Sequence, residues 1–300
     1  METGILLESG TNELEILEFR IGANSYGINV AKIREILPYK APTPIPNSHP
    51  CIEGIFMPRD EIITIVDLAR HLNLGASEES TKDMYIVTNF NKLNIGFHVH
   101  RVVGIHRVSW ADISKPDATL NANGSGIATG IIKLDNKLIV ILDFEKIVSD
   151  ISPETGLKVS DIDRLGPRER NATPILIAED SPLLGKLICD SLEKAGYTNL
   201  VMTTNGQEAW DKLNEYKAEG TLDEHVKMVI TDIEMPQMDG HRLTKLIKDS
   251  GVFSKIPVVI FSSLVNEEMR KKGEALGADA QLSKPEIGNL VSEIDKILWK

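Results

Sequence analysis

Hydrophobic and polar positions alternate in two different ways along the 300-residue chain. Up to Val148, short apolar runs are separated by turn sequences such as GANS, NFNKLN and KLDNK, which is typical of antiparallel strands joined by hairpins. From Pro174 onward, apolar runs such as PILIA and PVVIF alternate with amphipathic stretches such as NEEMRKKGEALG, which predicts parallel strands connected by helices. We therefore expect an all-β half and an α/β half, joined by a polar linker over residues 149–172 that contains a short amphipathic helix.

The all-β half contains an internal repeat. The sequences GIFMPRDEIITIVDL, from Gly54, and GIIKLDNKLIVILDF, from Gly130, match without a gap, and each has an aspartate at the same position, Asp67 and Asp143. Further upstream, YGINVAKIREI and IGFHVHRVVGI also superimpose without a gap. The repeat predicts two similar small β-barrels that pack on each other with approximate twofold symmetry.

Two histidines on one predicted strand, His98 and His100 in the sequence HVH, have the spacing of metal ligands on one strand face. The first copy of the repeat has Asn29 and Ala31 at these positions, and no cysteine pair or further histidine cluster follows. Because a zinc site needs more ligands of this kind, we do not expect a metal ion here.

The composition is that of an ordinary soluble globular protein, with 42% hydrophobic residues, 26% charged residues and a formal net charge of -11. Such an acidic chain without a Lys/Arg-rich run is repelled by phosphate backbones, which argues against a nucleic-acid partner. The sequence has no signal-peptide pattern and no stretch near the ~20 apolar residues that span a bilayer, so we expect a cytoplasmic protein without membrane insertion. Cys51 and Cys189 lie in different halves, and we expect both to be reduced.

Residues 12–148 resemble the CheW coupling-protein domain, a double β-barrel that links chemoreceptors to a histidine kinase in bacterial chemotaxis. The family carries an Asn-Leu-Arg-Gly hairpin motif on a surface involved in receptor binding, and this chain has Met57-Pro58-Arg59-Asp60 there. The resemblance implies a partner contact for the retained Arg59, and likewise for Glu35 in KIREI. The alternatives are a solvated hairpin charge and an exposed helix residue.

Three carboxylates in the α/β half follow the ends of predicted strands. Asp232 comes directly after the buried run KMVIT, and Glu179 and Asp180 follow PILIA, where Ser181 and Pro182 start the next helix. The first and third strands of such a sheet are neighbours, and ligands gather at the carboxyl ends of the strands. Converging carboxylates repel one another unless a hard cation is bound, and oxygen atoms are the ligands that Mg²⁺ prefers. The sequence therefore predicts a magnesium site.

Two further polar residues end the next predicted strands, Ser262 after PVVIF and Lys284 in QLSKP. A hydroxyl and an ammonium group that face a metal ion and a carboxylate can hold the oxygen atoms of a phosphoryl group. In this arrangement Asp232 is the nucleophile, Lys284 stabilises the charge of the transferred group, and Ser262 donates a hydrogen bond to it.

The acid pair, the sequence DIEMPQMDG, the serine and the Lys-Pro step together resemble the receiver domain of two-component response regulators, over residues 173–299. The resemblance implies a (βα)5 flavodoxin-like fold. It also implies that Asp180 and Asp232 bind the metal ion directly, that Glu179 acts largely through metal-bound water, and that Glu234 supplies its backbone carbonyl.

Three residues near this set have other expected roles. Asp239 and Gly240 are expected to build the loop into the next helix, since both residue types suit turns. Receivers often carry a Tyr or Phe in the fifth strand that is coupled to the serine or threonine as a rotamer switch. This chain has Gln281 there, which we expect to hydrogen-bond at the surface because it cannot fill an aromatic slot.

A CheW-like domain followed by a receiver is the arrangement of the CheV family. The resemblance implies an adaptor, not an enzyme, that couples methyl-accepting chemoreceptors to a CheA-type histidine kinase at membrane receptor arrays and is regulated by Mg²⁺-dependent phosphorylation of Asp232. One alternative with the same modules is a receptor-anchored phosphate sink that drains the kinase. A remote alternative is a haloacid-dehalogenase-type phosphatase, whose Asp-x-Asp motif is similar to Asp232-Ile233-Glu234, although its nucleophilic strand is normally the first one.

Overall fold

The computed structural model describes residues 12–77, 80–90, 93–114, 116, 126–134, 137–152, 168–264, 267–284 and 286–299. The chain divides into two compact units with separate hydrophobic cores. One comprises Leu14–Thr155, and the other comprises Gly156–Lys300 together with Met1–Glu13. We call the first the β unit and the second the α/β unit.

The described part of the β unit consists mainly of strands. They are β1 (Glu13–Ile21), β2 (Asn24–Asn29), β3 (Ile33–Pro38), β4 (Ile52–Phe56), β5 (Ile63–Asp67), β6 (Met84–Phe90), β7 (Leu93–Val99), β8 (Arg101–Ser109), β9 (Ala128–Leu134) and β10 (Lys137–Leu142). Two α-helices, α1 (Leu68–His71) and α2 (Phe144–Ile151), and short 3-10 helices at Val30–Lys32, Ser80–Lys82 and Trp110–Asp112 accompany them. The strands form two five-stranded sheets, with the orders β8-β1-β2-β10-β9 and β3-β6-β7-β5-β4.

The internal repeat is visible in these sheets, but the two copies exchange strands. β1–β5 belong to the first copy and β6–β10 to the second. When β1 is exchanged with β6, β2 with β7, and so on, the strand order of one sheet becomes the strand order of the other. The exchange is visible where strands of different copies pair, for example β3 with β6. The expectation of antiparallel strands also needs correction, since β10 pairs with β2 and β5 pairs with β7 in parallel.

The two aspartates of the repeat have the same local role. Asp67 Oδ1 accepts a hydrogen bond from the amide of Arg70 (2.9 Å), and Asp143 Oδ1 accepts one from the amide of Lys146 (2.9 Å). Each aspartate is the N-cap of the helix that follows its hairpin, α1 or α2. An N-cap carboxylate satisfies an amide that the first helical turn leaves unpaired.

The core of the β unit joins both sheets to α2. The ring of Phe144 in α2 packs edge-on against Phe97 of β7, with the ring centroids 4.7 Å apart, and also contacts Phe19 of β1. All three side chains are fully buried. Burying a side chain of this size contributes about 1.5–3 kcal/mol, so the aromatic cluster stabilises the assembly of strands from both copies.

The α/β unit contains a parallel sheet covered by helices on both faces. Its strands are β11 (Ile175–Ala178), β12 (Leu200–Thr203), β13 (Met228–Thr231), β14 (Val258–Ser262) and β15 (Ala280–Ser283), in the order β12-β11-β13-β14-β15. The helices are α3 (Pro182–Lys194), α4 (Gly206–Glu219), α5 (Leu222–His225), α6 (Gly240–Asp249), α7 (Glu267–Ala275) and α8 (Ile287–Leu298). Alternate residues of β11 enter two separate cores, with α3 and α8 on one face and α4 and α6 on the other. The flavodoxin-like fold class is confirmed.

Three sequence-based expectations can be compared with these elements. Glu35 lies in β3 and not on a helix, because the short helix before it ends at Lys32. Cys51 and Cys189 are both free thiols, as expected. No helix among the described residues is long and apolar enough to span a membrane.

The predicted linker is only partly within the described residues. α2 extends to Ile151, and the amphipathic helix expected further on would fall in residues 153–167, outside the described residues. Arg168 is held on the α/β unit, since its guanidinium donates hydrogen bonds to both carboxylate oxygens of Asp295 in α8 (2.6 and 2.7 Å). The boundaries at residues 148 and 173 remain predictions.

Candidate functional site

Three acidic side chains meet at the carboxyl ends of β11 and β13. The two strands are parallel neighbours with Ala178 opposite Thr231, so Glu179 and Asp180 leave the sheet beside Asp232. The amide of Asp232 donates a hydrogen bond to the carbonyl of Ala178 (2.9 Å), which ties the two strand ends together. One carboxylate oxygen from each acidic residue lies within 4.8 Å of the other two. The fold thus brings together acids that are far apart in the sequence.

Lys284 extends from the end of β15 into this group. Its Nζ donates hydrogen bonds to Glu179 Oε2 (2.7 Å) and Asp232 Oδ2 (2.8 Å), and the residue is only 4% exposed. Its backbone amide donates to the carbonyl of Ser262 (3.1 Å), so the ends of β14 and β15 are joined as well. A buried ammonium is stable only with partners of this kind, and its two charge-assisted hydrogen bonds fix its position.

The electrostatics of the site favour an additional positive charge. Burial raises the pKa of Glu179, the ammonium of Lys284 opposes this increase, and the negative charge of Asp232 adds to it. The net pKa of Glu179 is therefore above its ordinary value. A cation bound at these oxygens would stabilise the ionised carboxylates, because it favours their charged form.

The residues present fit Mg²⁺. Lys284 donates hydrogen bonds to two of the three clustered carboxylates, and a divalent cation would reduce the repulsion among all three. The ligands that the cluster offers are all oxygen atoms, and the half-buried Asp180 leaves room for the water molecules that Mg²⁺ retains in proteins. Glu234 lies in the loop after β13, and its predicted role as a carbonyl ligand stays a prediction.

Ser262 lies at the end of β14, which is placed between β13 and β15 in the sheet. The residue is 1% exposed, and its Oγ accepts a hydrogen bond from the amide of Leu264 (3.2 Å). A serine hydroxyl accepts with its lone pairs and donates its single hydrogen. The contact with Leu264 does not use the hydroxyl hydrogen of Ser262, and the predicted role of Ser262 as a donor to a phosphoryl group stays a prediction.

Asp239 and Gly240 have the structural role that the sequence predicts. Asp239 is the N-cap of α6, and its Oδ1 accepts a hydrogen bond from the amide of Arg242 (2.6 Å). Burial raises the pKa of Asp239 to about 6, against the hydrogen bonds from backbone amides, which lower it. A Cβ atom at residue 240 would overlap with the carbonyl oxygen of Asp232, so only glycine lets the chain pass this close.

Gln281 does not lie at the surface, and this expectation is wrong. Gln281 is 9% exposed, and its Nε2 donates a hydrogen bond to the carbonyl of Arg270 in α7 (2.6 Å). β15 is an edge strand, but α7 covers the face on which Gln281 lies. A buried amide thus occupies the position where receivers often carry an aromatic residue.

The two predicted partner-binding residues of the β unit contact each other. Arg59, at the tip of the β4–β5 hairpin, donates from Nη2 to Glu35 Oε2 in β3 (3.3 Å). The side chain of Arg59 is 75% exposed, whereas that of Glu35 is 18% exposed. Exposed ion pairs contribute about 0–1 kcal/mol to folding, so this pair adds little to the stability of the β unit. The role of the two residues in partner binding stays a prediction.

His98 and His100 are both engaged by protein groups. The ring nitrogens of His98 contact Glu53 Oε1 (2.9 Å) and Asp83 Oδ2 (3.0 Å), and Nδ1 of His100 accepts a hydrogen bond from the amide of Gly22 (2.9 Å). Burial lowers the pKa of His98, but the two carboxylates outweigh it and the net pKa is raised. Both nitrogens of His98 have a role that needs no metal ion.

Comparison with known proteins accounts for both units. Residues 15–152 match the CheW-like domain, and residues 175–295 match the response regulator receiver domain. The chemotaxis protein CheV3 of Helicobacter pylori is 34% identical over 305 residues, which cover 96% of this chain and 96% of that protein. CheV2 of the same organism is 32% identical, and the match covers 96% of this chain and 95% of CheV2. The chemotaxis protein CheW of Thermotoga maritima is 30% identical over 50% of this chain and 98% of that protein.

This chain belongs to the CheV family. As a CheV-family protein it is a chemotaxis coupling adaptor with a receiver domain. Receiver domains generally bind Mg²⁺ through acidic residues, and the cluster of Glu179, Asp180 and Asp232 is a group of this kind. The receiver match favours this assignment over the phosphatase alternative.

Sequence reasoning missed several contacts of this CheV-family chain. The carboxylates beside His98 are 45 and 15 residues away in the sequence, and no local pattern connects them. The contact of Arg168 with Asp295 spans 127 residues. One signal in the sequence could have indicated a close contact on a helix, namely Gly273. A glycine inside an amphipathic helical stretch costs stability and usually has a packing reason.

Proposed function

We propose that this CheV-family protein couples methyl-accepting chemoreceptors to a CheA-type histidine kinase, and that phosphorylation of Asp232 regulates the coupling. In this scheme the β unit docks in receptor–kinase complexes at the membrane, and the α/β unit accepts a phosphoryl group from the kinase. The protein has no substrate turnover of its own, and it assists only its own phosphorylation and dephosphorylation. Phosphorylation would shift the population between two states that differ in their interaction with the complex.

The position of the Lys284 ammonium carries the proposal. It lies 2.8 Å from Asp232 Oδ2 and 2.7 Å from Glu179 Oε2, in a site that excludes water from the lysine. A phosphoryl group on Asp232 would bring additional negatively charged oxygens to this position. A fixed positive charge at that point stabilises the transferred group without reorganisation, which is the main contribution that proteins make to phosphoryl transfer.

The chemical step is a displacement at phosphorus. An oxygen of the Asp232 carboxylate attacks the phosphorus atom of a phosphohistidine, and the new O–P bond forms as the N–P bond breaks. The imidazole nitrogen of the kinase keeps the electron pair of the broken bond. Lys284 stabilises the negative charge on the phosphoryl oxygens, and the hydroxyl of Ser262 donates a hydrogen bond to one of them.

The metal site would be formed by Asp180, Asp232 and the carbonyl of Glu234, with Glu179 acting through metal-bound water. When bound, Mg²⁺ supplies charge neutralisation for the acids and for the incoming phosphoryl group. Glu179 also orients Lys284 directly through its hydrogen bond. Arg59 and Glu35 are the residues that we propose for partner contacts on the β unit.

Phosphoryl transfer from a radiolabelled, phosphorylated CheA-type kinase tests the proposal. In the presence of Mg²⁺ the label should move to the wild-type protein, whereas Asp232→Asn should keep its circular dichroism spectrum and accept no label. EDTA should stop the transfer, because unscreened carboxylates repel the donor phosphoryl group. The matched control is Asp239→Asn in the same loop, which should still accept label because asparagine is also a good N-cap.

Label on Asp232→Asn, or transfer that persists in EDTA, would contradict the proposed site. A kinase assay with receptors then separates coupling from the phosphate-sink alternative. Coupling predicts that the phosphorylated protein changes kinase activity in receptor complexes, whereas a sink only drains label at an unchanged rate of kinase autophosphorylation.

A further inference from the structure

The loop between β13 and α6 carries Glu234, whose backbone carbonyl is a proposed metal ligand, and this loop is tightly folded. The amide of Gly240 donates a hydrogen bond to the carbonyl of Ile233 (2.9 Å), which closes the loop at its base. The amide of Gly206, at the start of α4, donates to the carbonyl of Met238 (3.1 Å) and fixes the loop from one side.

Gln237 makes the sharpest bend of this loop. Its φ is 66°, in the left-handed region that residues other than glycine rarely enter. The amide of Met238 donates to the carbonyl of Pro236 (2.8 Å) across it, so the turn spans only three residues. A three-residue turn with a positive central φ is rare and strained, and a strained backbone persists only where surrounding contacts hold it.

The side chain of Asn12 supplies contacts of this kind. Its Nδ2 donates a hydrogen bond to the carbonyl of Gln237 (2.8 Å), and its Oδ1 accepts one from the amide of Asp239 (3.1 Å). A carboxamide offers a donor and an acceptor at once, so one side chain binds backbone groups on both sides of Met238. Asn12 itself has a φ of 63°, which asparagine adopts more readily than most residues.

Asn12 lies outside both segments that match a known domain, residues 15–152 and 175–295. Its contacts group it with the α/β unit, although it precedes Gln237 by 225 residues. The loop of the proposed metal site is thus completed by a residue that the receiver domain alone does not contain.

We propose that Asn12 is a positioning residue of the magnesium site, which holds the turn at Gln237 and thereby keeps the carbonyl of Glu234 in place for the metal ion. The inference rests on the proposed function, whose metal site includes that carbonyl. The contact is present in the structure that brings the three acidic side chains together. A ligand that is held in place before binding loses less conformational freedom when the ion binds, so removal of the contact weakens binding.

The test is a titration of the full-length protein with Mg²⁺, followed by nuclear magnetic resonance. Asn12→Gly removes the carboxamide and keeps a residue that tolerates a positive φ. The variant should bind Mg²⁺ about threefold to tenfold more weakly, the range expected for one hydrogen bond, and hydrogen exchange of the Asp239 amide should be faster by a similar factor. The matched control is Asn47→Gly, the same substitution at an exposed asparagine with a φ of 58°, which should leave both quantities unchanged.

A second titration uses beryllofluoride, a mimic of the phosphoryl group, at saturating Mg²⁺. Asn12→Gly should bind it with wild-type affinity, because the bound metal ion then holds the loop. Weaker binding under these conditions would place the effect on Asp232 and overturn the assignment to the metal site.

Thermal unfolding of each variant verifies that it is folded at the temperature of the titrations. Faster exchange of the Asp239 amide with unchanged Mg²⁺ affinity would make the contact purely structural, and unchanged exchange would mean that the contact does not form in solution. Either result refutes the role of Asn12 and leaves the proposed function standing. A wild-type protein that does not bind Mg²⁺ would refute both.

Discussion

At the residue scale, His98 is a buried imidazole whose two nitrogens face carboxylates. Desolvation lowers its pKa, and the hydrogen bonds and charges of Glu53 and Asp83 raise it by more. The folded protein therefore binds this proton more tightly than the unfolded chain, in which the pKa is about 6.5. The resulting stabilisation is complete below about pH 6.5 and is lost as the pH rises through the higher pKa of the folded state.

We expect His98→Asn to destabilise the β unit in a pH-dependent way. Asparagine stands at the corresponding position of the first repeat copy, at Asn29, so the strand itself tolerates it. The variant should lower the free energy of unfolding by about 1.5–3 kcal/mol near pH 6, the range for hydrogen bonds to charged groups, and by less near pH 9. Urea unfolding of both proteins across this range measures the difference. A difference that does not vary with pH would mean that His98 is uncharged in the folded protein.

At the element scale, the β4–β5 hairpin and β3 present a charged pair on one surface. The hairpin turn carries Arg59, and its guanidinium reaches Glu35 on a strand of the same sheet. Because Arg59 is largely exposed, the ion pair contributes little to folding. The pair can therefore be changed with only a small effect on the sheet, which makes it suitable for testing the proposed coupling surface.

We expect Arg59→Glu to weaken association with receptor–kinase complexes while it lowers the free energy of unfolding by less than about 1 kcal/mol. The matched control is the exchange Arg59→Glu with Glu35→Lys, which restores an ion pair in the opposite orientation. It should recover any lost stability but not the association, since a partner distinguishes the two orientations. Co-sedimentation with receptor membranes and thermal unfolding give the two readouts. Association that returns with the exchange would assign the pair a purely structural role.

At the scale of the whole molecule, the chain has two units with separate cores. The aromatic core around Phe144 belongs to the β unit, and the helices of the α/β unit pack on both faces of their own sheet. Units with separate cores unfold in separate transitions unless a large interface couples them. A ligand that binds only one folded unit should stabilise that unit alone.

We expect two transitions in differential scanning calorimetry of the full-length protein. Mg²⁺ with beryllofluoride should raise the midpoint of one transition, with a stabilisation of about 2.7 kcal/mol at a ligand concentration of 100 times Kd. A fragment that ends near residue 160 should show only the other transition and should still bind receptor–kinase complexes. In Asp232→Asn the ligand should move neither transition. A single transition that shifts as a whole would show that the two units fold together.

Much of the fold could be predicted because it rests on local patterns. Apolar runs such as MVI in the third receiver strand predict strands that are buried on both faces. The gap-free repeat predicts two similar β-barrels, and the structure has two five-stranded sheets of matching order. The exchange of strands between the repeat copies could not be predicted, because the pairing of strands that are distant in the sequence depends on the packing of the whole unit. The alternative that puts Glu35 on a short helix fails because the helical turn ends at Lys32, and its end has no clear signal in the sequence.

The sequence by itself determined the chemistry that is available, because the acids, the serine and the lysine each follow an apolar run and strand ends of a parallel sheet meet at one edge. The tertiary structure decided which groups touch. It placed the ammonium of Lys284 between Glu179 and Asp232, 105 and 52 residues away, and it buried Gln281 against a glycine of another element. Such contacts depend on the distance between helices and strands and on the free space beside a missing Cβ. Neither the distance nor the free space can be predicted from the order of residues, because both arise only when the elements pack.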